Sequence, residues 1–126
     1  MAAWNGRESS QMNTITDWLE HWSVAQPEKR LYTFLGIDGQ ERESYTYRSF
    51  FERSTALAIY LSEKAGLRNG DRVLLVYPPG LEIIAAFFAC ARIGVIAVPV
   101  YAPSPIGLEA GLARLKLIAR DRKSVV

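Results

Sequence analysis

The spacing of apolar residues divides the chain into alternating helices and strands. Thr14 offers an N-cap hydroxyl and Asp17 a carboxylate three positions later. Ile15, Trp18, Leu19, Trp22 and Ala25 then recur at helical spacing, which predicts a helix with one apolar stripe, ended by Pro27. Leu31 to Leu35 is aromatic and β-branched enough for a strand, and Glu41 to Tyr45 is its return. Asp38-Gly39 between them predicts a hairpin with a type I′ turn, whose two central residues both need positive φ. Thr46 can cap a helix from about Tyr47 to Ala65, with Phe50, Leu57, Leu61 and Ala65 on one face, Phe51 and Ala58 beside it, and Gly66 at its end.

After a polar turn at Leu67 to Asp71 comes Arg72-Val73-Leu74-Leu75-Val76-Tyr77, too continuously apolar for a half-exposed strand. Tyr77-Pro78-Pro79-Gly80 imposes a loop. From Ile83 to Pro103 the chain is almost wholly apolar, and length alone would let it cross a bilayer. Arg92 lies in the middle of that run, Gly94 divides it, and Val95 to Val100 is mostly β-branched. A helix over Leu81 to Ile93, a glycine stop and a buried strand account for all three features, so the segment is read as a right-handed βαβ crossover. Tyr101 to Gly107 is a second proline-rich loop. Leu108, Leu112, Leu115 and Ala119 then mark an amphipathic helix, with Leu117 and Ile118 widening its face. Ser124-Val125-Val126 reads as a strand stub without a partner. The fold class is α/β: a β-hairpin plus a βαβ unit with flanking helices, forming an incomplete subdomain with an open sheet edge and an uncovered apolar face. Residues 1–13 read as a flexible N-terminal tail and 14–126 as the folded part.

Composition narrows the function. Of 126 residues, 49% are hydrophobic and 22% charged, which excludes a disordered chain. Fifteen basic and 13 acidic residues leave a net charge of +2, too even to indicate nucleic acid or a membrane surface. One cysteine, Cys90, and one histidine, His21, provide neither a disulfide nor a zinc set. The N-terminus lacks the apolar core of a signal peptide, and a reducing, cytoplasmic location follows as the expectation.

The candidate chemistry is sparse. Pro78-Pro79-Gly80 precedes a helix N-terminus, where α/β folds often hold anions, but it lacks the glycines and Gly-Lys-Ser/Thr ending that wrap a phosphate. It reads first as a plain turn, as does Asn69-Gly70-Asp71. His21 has no Ser or Cys partner arranged around it and reads as a surface residue. Cys90, within Phe87-Phe88-Ala89-Cys90-Ala91, reads as a small core residue with an unreactive thiol. Arg114, Lys116, Arg120, Arg122 and Lys123 make the last helix basic at its end, suiting its dipole or an acidic partner. Tyr77 and Tyr101 end the two apolar strands, as packing residues or as walls of a cleft. No nucleophile, base and oxyanion site come together.

Several segments together resemble a known family. Thr46-Tyr47 before a long helix, Gly70-Asp71-Arg72-Val73-Leu74-Leu75, and Pro79-Gly80-Leu81-Glu82 are similar to the opening of adenylate-forming enzymes, the acyl-CoA synthetase and luciferase-like ligases. Ala85-Ala86-Phe87-Phe88-Ala89-Cys90 followed by Gly94-Val95-Ile96-Ala97-Val98-Pro99-Val100-Tyr101 most resembles the fatty acyl-AMP ligase branch. The resemblance runs from about Ile15 to Val126. It implies the N-terminal portion of a ligase that activates a fatty acid with ATP and Mg²⁺ and passes the acyl group to an acyl carrier protein. The family's Ser/Thr/Gly-rich loop ending in Pro-Lys-Gly, its acidic ribose-binding residue and its C-terminal lysine do not occur in these residues. The resemblance therefore assigns no catalytic, nucleotide-binding or metal residue, and implies a scaffold that binds neither ATP nor Mg²⁺ alone. A ligase-derived interaction module, a fragment of a long-chain acyl-CoA synthetase and a small α/β nucleotide-binding domain remain as alternatives.

Overall fold

The computed structural model describes residues 13–120 and 124–125; the tail expected over 1–13 lies almost wholly outside them. Helix α1 (Ile15–Ala25) starts with the expected capping box. Thr14 Oγ1 accepts the Asp17 amide at 3.1 Å, and Asp17 Oδ2 accepts the Thr14 amide at 3.0 Å. Its buried positions are Leu19 and Ser23, whereas Ile15 and Ala25 are exposed. Ser23 tolerates burial because its hydroxyl donates to the Glu20 carbonyl at 2.6 Å.

Strands β1 (Arg30–Leu35) and β2 (Glu41–Thr46) form the antiparallel hairpin. Its turn is not type I′. Gly39 alone in the loop has positive φ (76°), and the Gly36 and Gly39 amides bond to the carbonyls of Gln40 and Gly36. A wider loop that places one left-handed glycine after an ordinary turn removes the need for Asp38 to adopt positive φ.

Helix α2 (Tyr47–Ile59) is capped reciprocally by Thr46 and Ser49. The expected single α-helix to Ala65 instead widens into a π-helical turn over Tyr60–Lys64. There the Ala65 amide reaches Tyr60 and the Leu67 amide reaches Leu61, with Gly66 left-handed between them (φ 66°). The widened end keeps both Leu61 and Leu67 buried.

In the second sheet β3 (Arg72–Tyr77) lies between β4 (Ile96–Tyr101) and β5 (Ser124–Val125), all parallel. Strand β3 is central, and Val73, Leu74 and Leu75 are fully buried although alternate residues face opposite sides. Helix α3 (Glu82–Ile93) returns the chain to β4 (Ile96–Tyr101). Gly94 ends α3 at φ 70°, and the Gly70 and Ile96 amides tie the two connections together through the Gly94 and Asp71 carbonyls. Among the described residues no helix is long and apolar enough to cross a membrane. Arg92 instead lies 4.9 Å from the centre of the Phe51 ring and within 3.3 Å of Thr55 Oγ1.

Two expectations about this sheet need correction. β4 is not a buried strand: it is the edge of the described sheet, with Ile96 and Tyr101 exposed. Pro99 suits that place because it has no amide to offer a further neighbour. Helix α4 (Leu108–Ala119) has the predicted apolar face, and none of its residues is buried. The C-terminal stub has a partner after all: β5 (Ser124–Val125) pairs with Val73 and Leu74 of β3.

Two clusters make the core. Leu61, Leu67, Val73, Leu75, Ala89 and Cys90 anchor the packing of α2 and α3 on β3. Leu19, Phe50 and Ala85 gather α1, the hairpin and α3 around a set of aromatic rings.

Candidate functional site

The parallel register of β3 and β4 places Tyr77 directly beside Tyr101 at their carboxyl ends. The two tyrosines, with Pro78, Pro79, Ile83 and Val100, line a mostly apolar groove of about 540 Å³. Tyr101 is fully exposed, so it walls the groove rather than packing into a core. A second groove of about 460 Å³ runs from the same strand end to α4, bounded by Pro103, Ile106, Leu115 and Ile118. Gly111 permits that approach, since a Cβ there would lie 3.2 Å from the Pro103 side chain.

The turn before α3 was the candidate anion site. Its position fits, but its charge does not. Glu43, from β2, places Oε1 2.5 Å from the Leu81 amide, and a Cβ on Gly80 would sit 2.8 Å from the same oxygen. Glu82 adds a second carboxylate in the first turn. Its Oε1 accepts the Tyr45 hydroxyl at 2.5 Å, and Arg53 grips Oε2 through Nε at 3.1 Å and Nη2 at 2.7 Å. A helix N-terminus stabilises an anion, and here the protein's own carboxylates take that place. A phosphate would meet two like charges and an amide already bonded.

These contacts perturb the groups involved. Hydrogen bonds from Arg53 hold the Glu82 carboxyl below its ordinary range, against partial burial, and the Tyr45 hydroxyl adds to the effect. Burial, then the hydrogen bond to Glu82, pushes Tyr45 up to about 12. Tyr77 is raised chiefly by burial. The shifts of Glu82 and Tyr45 both run away from neutrality, so the Arg53–Glu82–Tyr45 contact ties β2, α2 and α3 together.

Glu82 lies in the first turn of α3, and its neighbours Glu43, Tyr45 and Arg53 were not anticipated. Their partners lie 38, 37 and 29 positions away, and no local pattern signals such pairs.

The remaining candidates settle simply. Asn69-Gly70-Asp71 is a turn, closed by bonds between Arg68 and Asp71 in both directions, with Gly70 at φ 86°. His21 packs edge-on against Trp22 at 4.9 Å. Cys90 is fully buried, and burial pushes its thiol up to about 11. Arg114 and Lys116 are exposed on α4 and Arg120 just after its end, while Arg122 and Lys123 lie outside the described residues. An aromatic cleft of about 250 Å³, walled by Trp18, Trp22, Tyr32, Tyr47 and Phe88, was not anticipated. Its residues come from α1, the hairpin, α2 and α3. Among the described residues no group of three or more His, Cys, Asp or Glu side chains could hold a metal ion.

Known proteins give this scaffold a context. Residues 19–126 match the AMP-binding enzyme family. The medium-chain-fatty-acid–[acyl-carrier-protein] ligase JamA of Moorena producens is 38% identical over 116 residues, which is 92% of this chain but 19% of JamA. Human Disco-interacting protein 2 homolog A is 34% identical over 110 residues, 87% of this chain and 7% of its own. Among solved structures, the fatty acyl-adenylate ligase of L. pneumophila, in complex with acyl adenylate and pyrophosphate, superposes with a TM-score of 0.80 at 32% identity. That superposition covers 98% of this chain and 21% of the ligase. The chain thus spans about a fifth or less of the length of these relatives. A family match over most of its residues, carried on the same α/β scaffold as the ligases, makes this chain a member of the AMP-binding enzyme family.

Proposed function

We propose that the chain is the N-terminal part of a fatty-acid-adenylating ligase, with residues 14–126 supplying the first strands and helices of its large domain. The observation that carries this reading is the likeness to the L. pneumophila acyl-adenylate ligase over 98% of the chain at 32% identity. JamA, named for transfer to an acyl carrier protein, supports that acceptor over coenzyme A. The Haemophilus influenzae long-chain-fatty-acid–CoA ligase, 32% identical over 105 residues, is the basis for the alternative acceptor.

In such a reaction a fatty acid carboxylate oxygen bonds to the α-phosphorus of ATP and pyrophosphate leaves. A carrier thiol then attacks the acyl carbon and AMP leaves. The first step needs donors and cations aimed at the phosphates. The turn leading into α3 does not fit that task. The α3 N-terminus is filled by Glu43 and Glu82, and the guanidinium of Arg53 beside it is engaged by Glu82. ATP and Mg²⁺ therefore belong to other parts of the enzyme, and the role of these residues is to hold the sheet on which those parts are built. Its partners are the remainder of the ligase, a fatty acid and a carrier protein, in the cytoplasm.

The test is ATP–pyrophosphate exchange stimulated by fatty acid. It is measured on the 126-residue chain alone and on the chain co-expressed with the remaining four-fifths of the L. pneumophila ligase. No exchange is expected alone, and fatty-acid-dependent exchange is expected from the pair. Exchange by the chain alone would overturn the scaffold assignment, and a pair that assembles without fatty-acid-dependent exchange would overturn the ligase reading.

A further inference from the structure

We draw no further inference here: the strongest candidate, the apolar groove at the carboxyl ends of β3 and β4 walled by Tyr77 and Tyr101, carries none because nothing in the structure shows what covers it.

Discussion

Phe50 is the side chain on which the packing of α1, the hairpin, α2 and α3 converges, and truncating it tests that packing directly. It is fully buried, and its ring meets Tyr32, Tyr45 and Phe88 edge-on at centroid distances of 5.2, 5.5 and 5.0 Å. Removing a buried Phe side chain costs about 3–5 kcal/mol, through lost transfer energy and the cavity left behind. Phe50→Ala belongs near the upper end, at about 4 kcal/mol, because the three rings around it cannot collapse without breaking their own contacts. Phe50→Leu keeps most of the apolar volume and loses the ring geometry. With each aromatic pair contributing about 0.5–1.5 kcal/mol and the three not independent, it is expected to cost about 2 kcal/mol. Phe87→Ala is the control. Phe87 is 43% exposed, and its truncation is expected to cost less than about 1 kcal/mol. Urea unfolding followed by tryptophan fluorescence reads all three, since Trp18 and Trp22 lie on α1 beside this cluster. A Phe50→Ala cost no larger than that of Phe87→Ala, at unchanged urea dependence, would refute the reasoning. So would a Phe50→Leu variant as stable as the parent.

Three other predictions rest on separate features. Gly94→Ala should destabilise more than Gly66→Ala in the same unfolding assay. Both sites need a left-handed backbone costing about 1–2 kcal/mol for alanine, but only at Gly94 would the new Cβ also meet Asn69, at 2.5 Å; equal losses would count against the close contact. Glu82 has a folded pKa below its unfolded value, so its contribution is present above the unfolded value and is lost as pH falls through the folded one. Stability of the parent should therefore fall more steeply on acidification than that of Glu82→Gln, by less than about 1 kcal/mol given the exposure of the pair; parallel pH profiles would exclude the tie. Cys90, buried with its thiol raised to about 11, should react with an aromatic disulfide reagent at pH 8 only as fast as the chain opens, and rapidly in urea; fast labelling of the native chain would show that the α3–β3 packing is looser than described.

Local rules explain which elements were legible. Thr14 with Asp17 and Thr46 before α2 specify their caps within four residues, and both caps are present. Gly94 specifies the end of α3 because its left-handed conformation suits glycine almost alone. The same reasoning stopped short at the hairpin turn, where Asp38-Gly39 fits either a tight loop with positive φ at both residues or a wider one with positive φ at Gly39 alone. It also stopped short at the end of α2, because helical spacing does not distinguish an α-turn from a π-turn over its last five residues. The candidate site was the least legible part. That Pro78-Pro79-Gly80 leads into a helix was plain, but a carboxylate from a strand 38 residues earlier decides what that helix start can bind.

By itself, then, the sequence determined the order and type of the elements, the βαβ unit, the burial of β3 and Cys90, and the family resemblance. All of these depend on residue spacing or on residues close together in the chain. Only the tertiary structure decided that β4 is the strand at the open edge, that α4 is the helix left uncovered, and that Tyr77 and Tyr101 wall a groove. It alone showed that Glu43 and Glu82 fill the start of α3. Those outcomes depend on which distant segments meet, and an apolar or charged residue carries the same local signal whatever it meets.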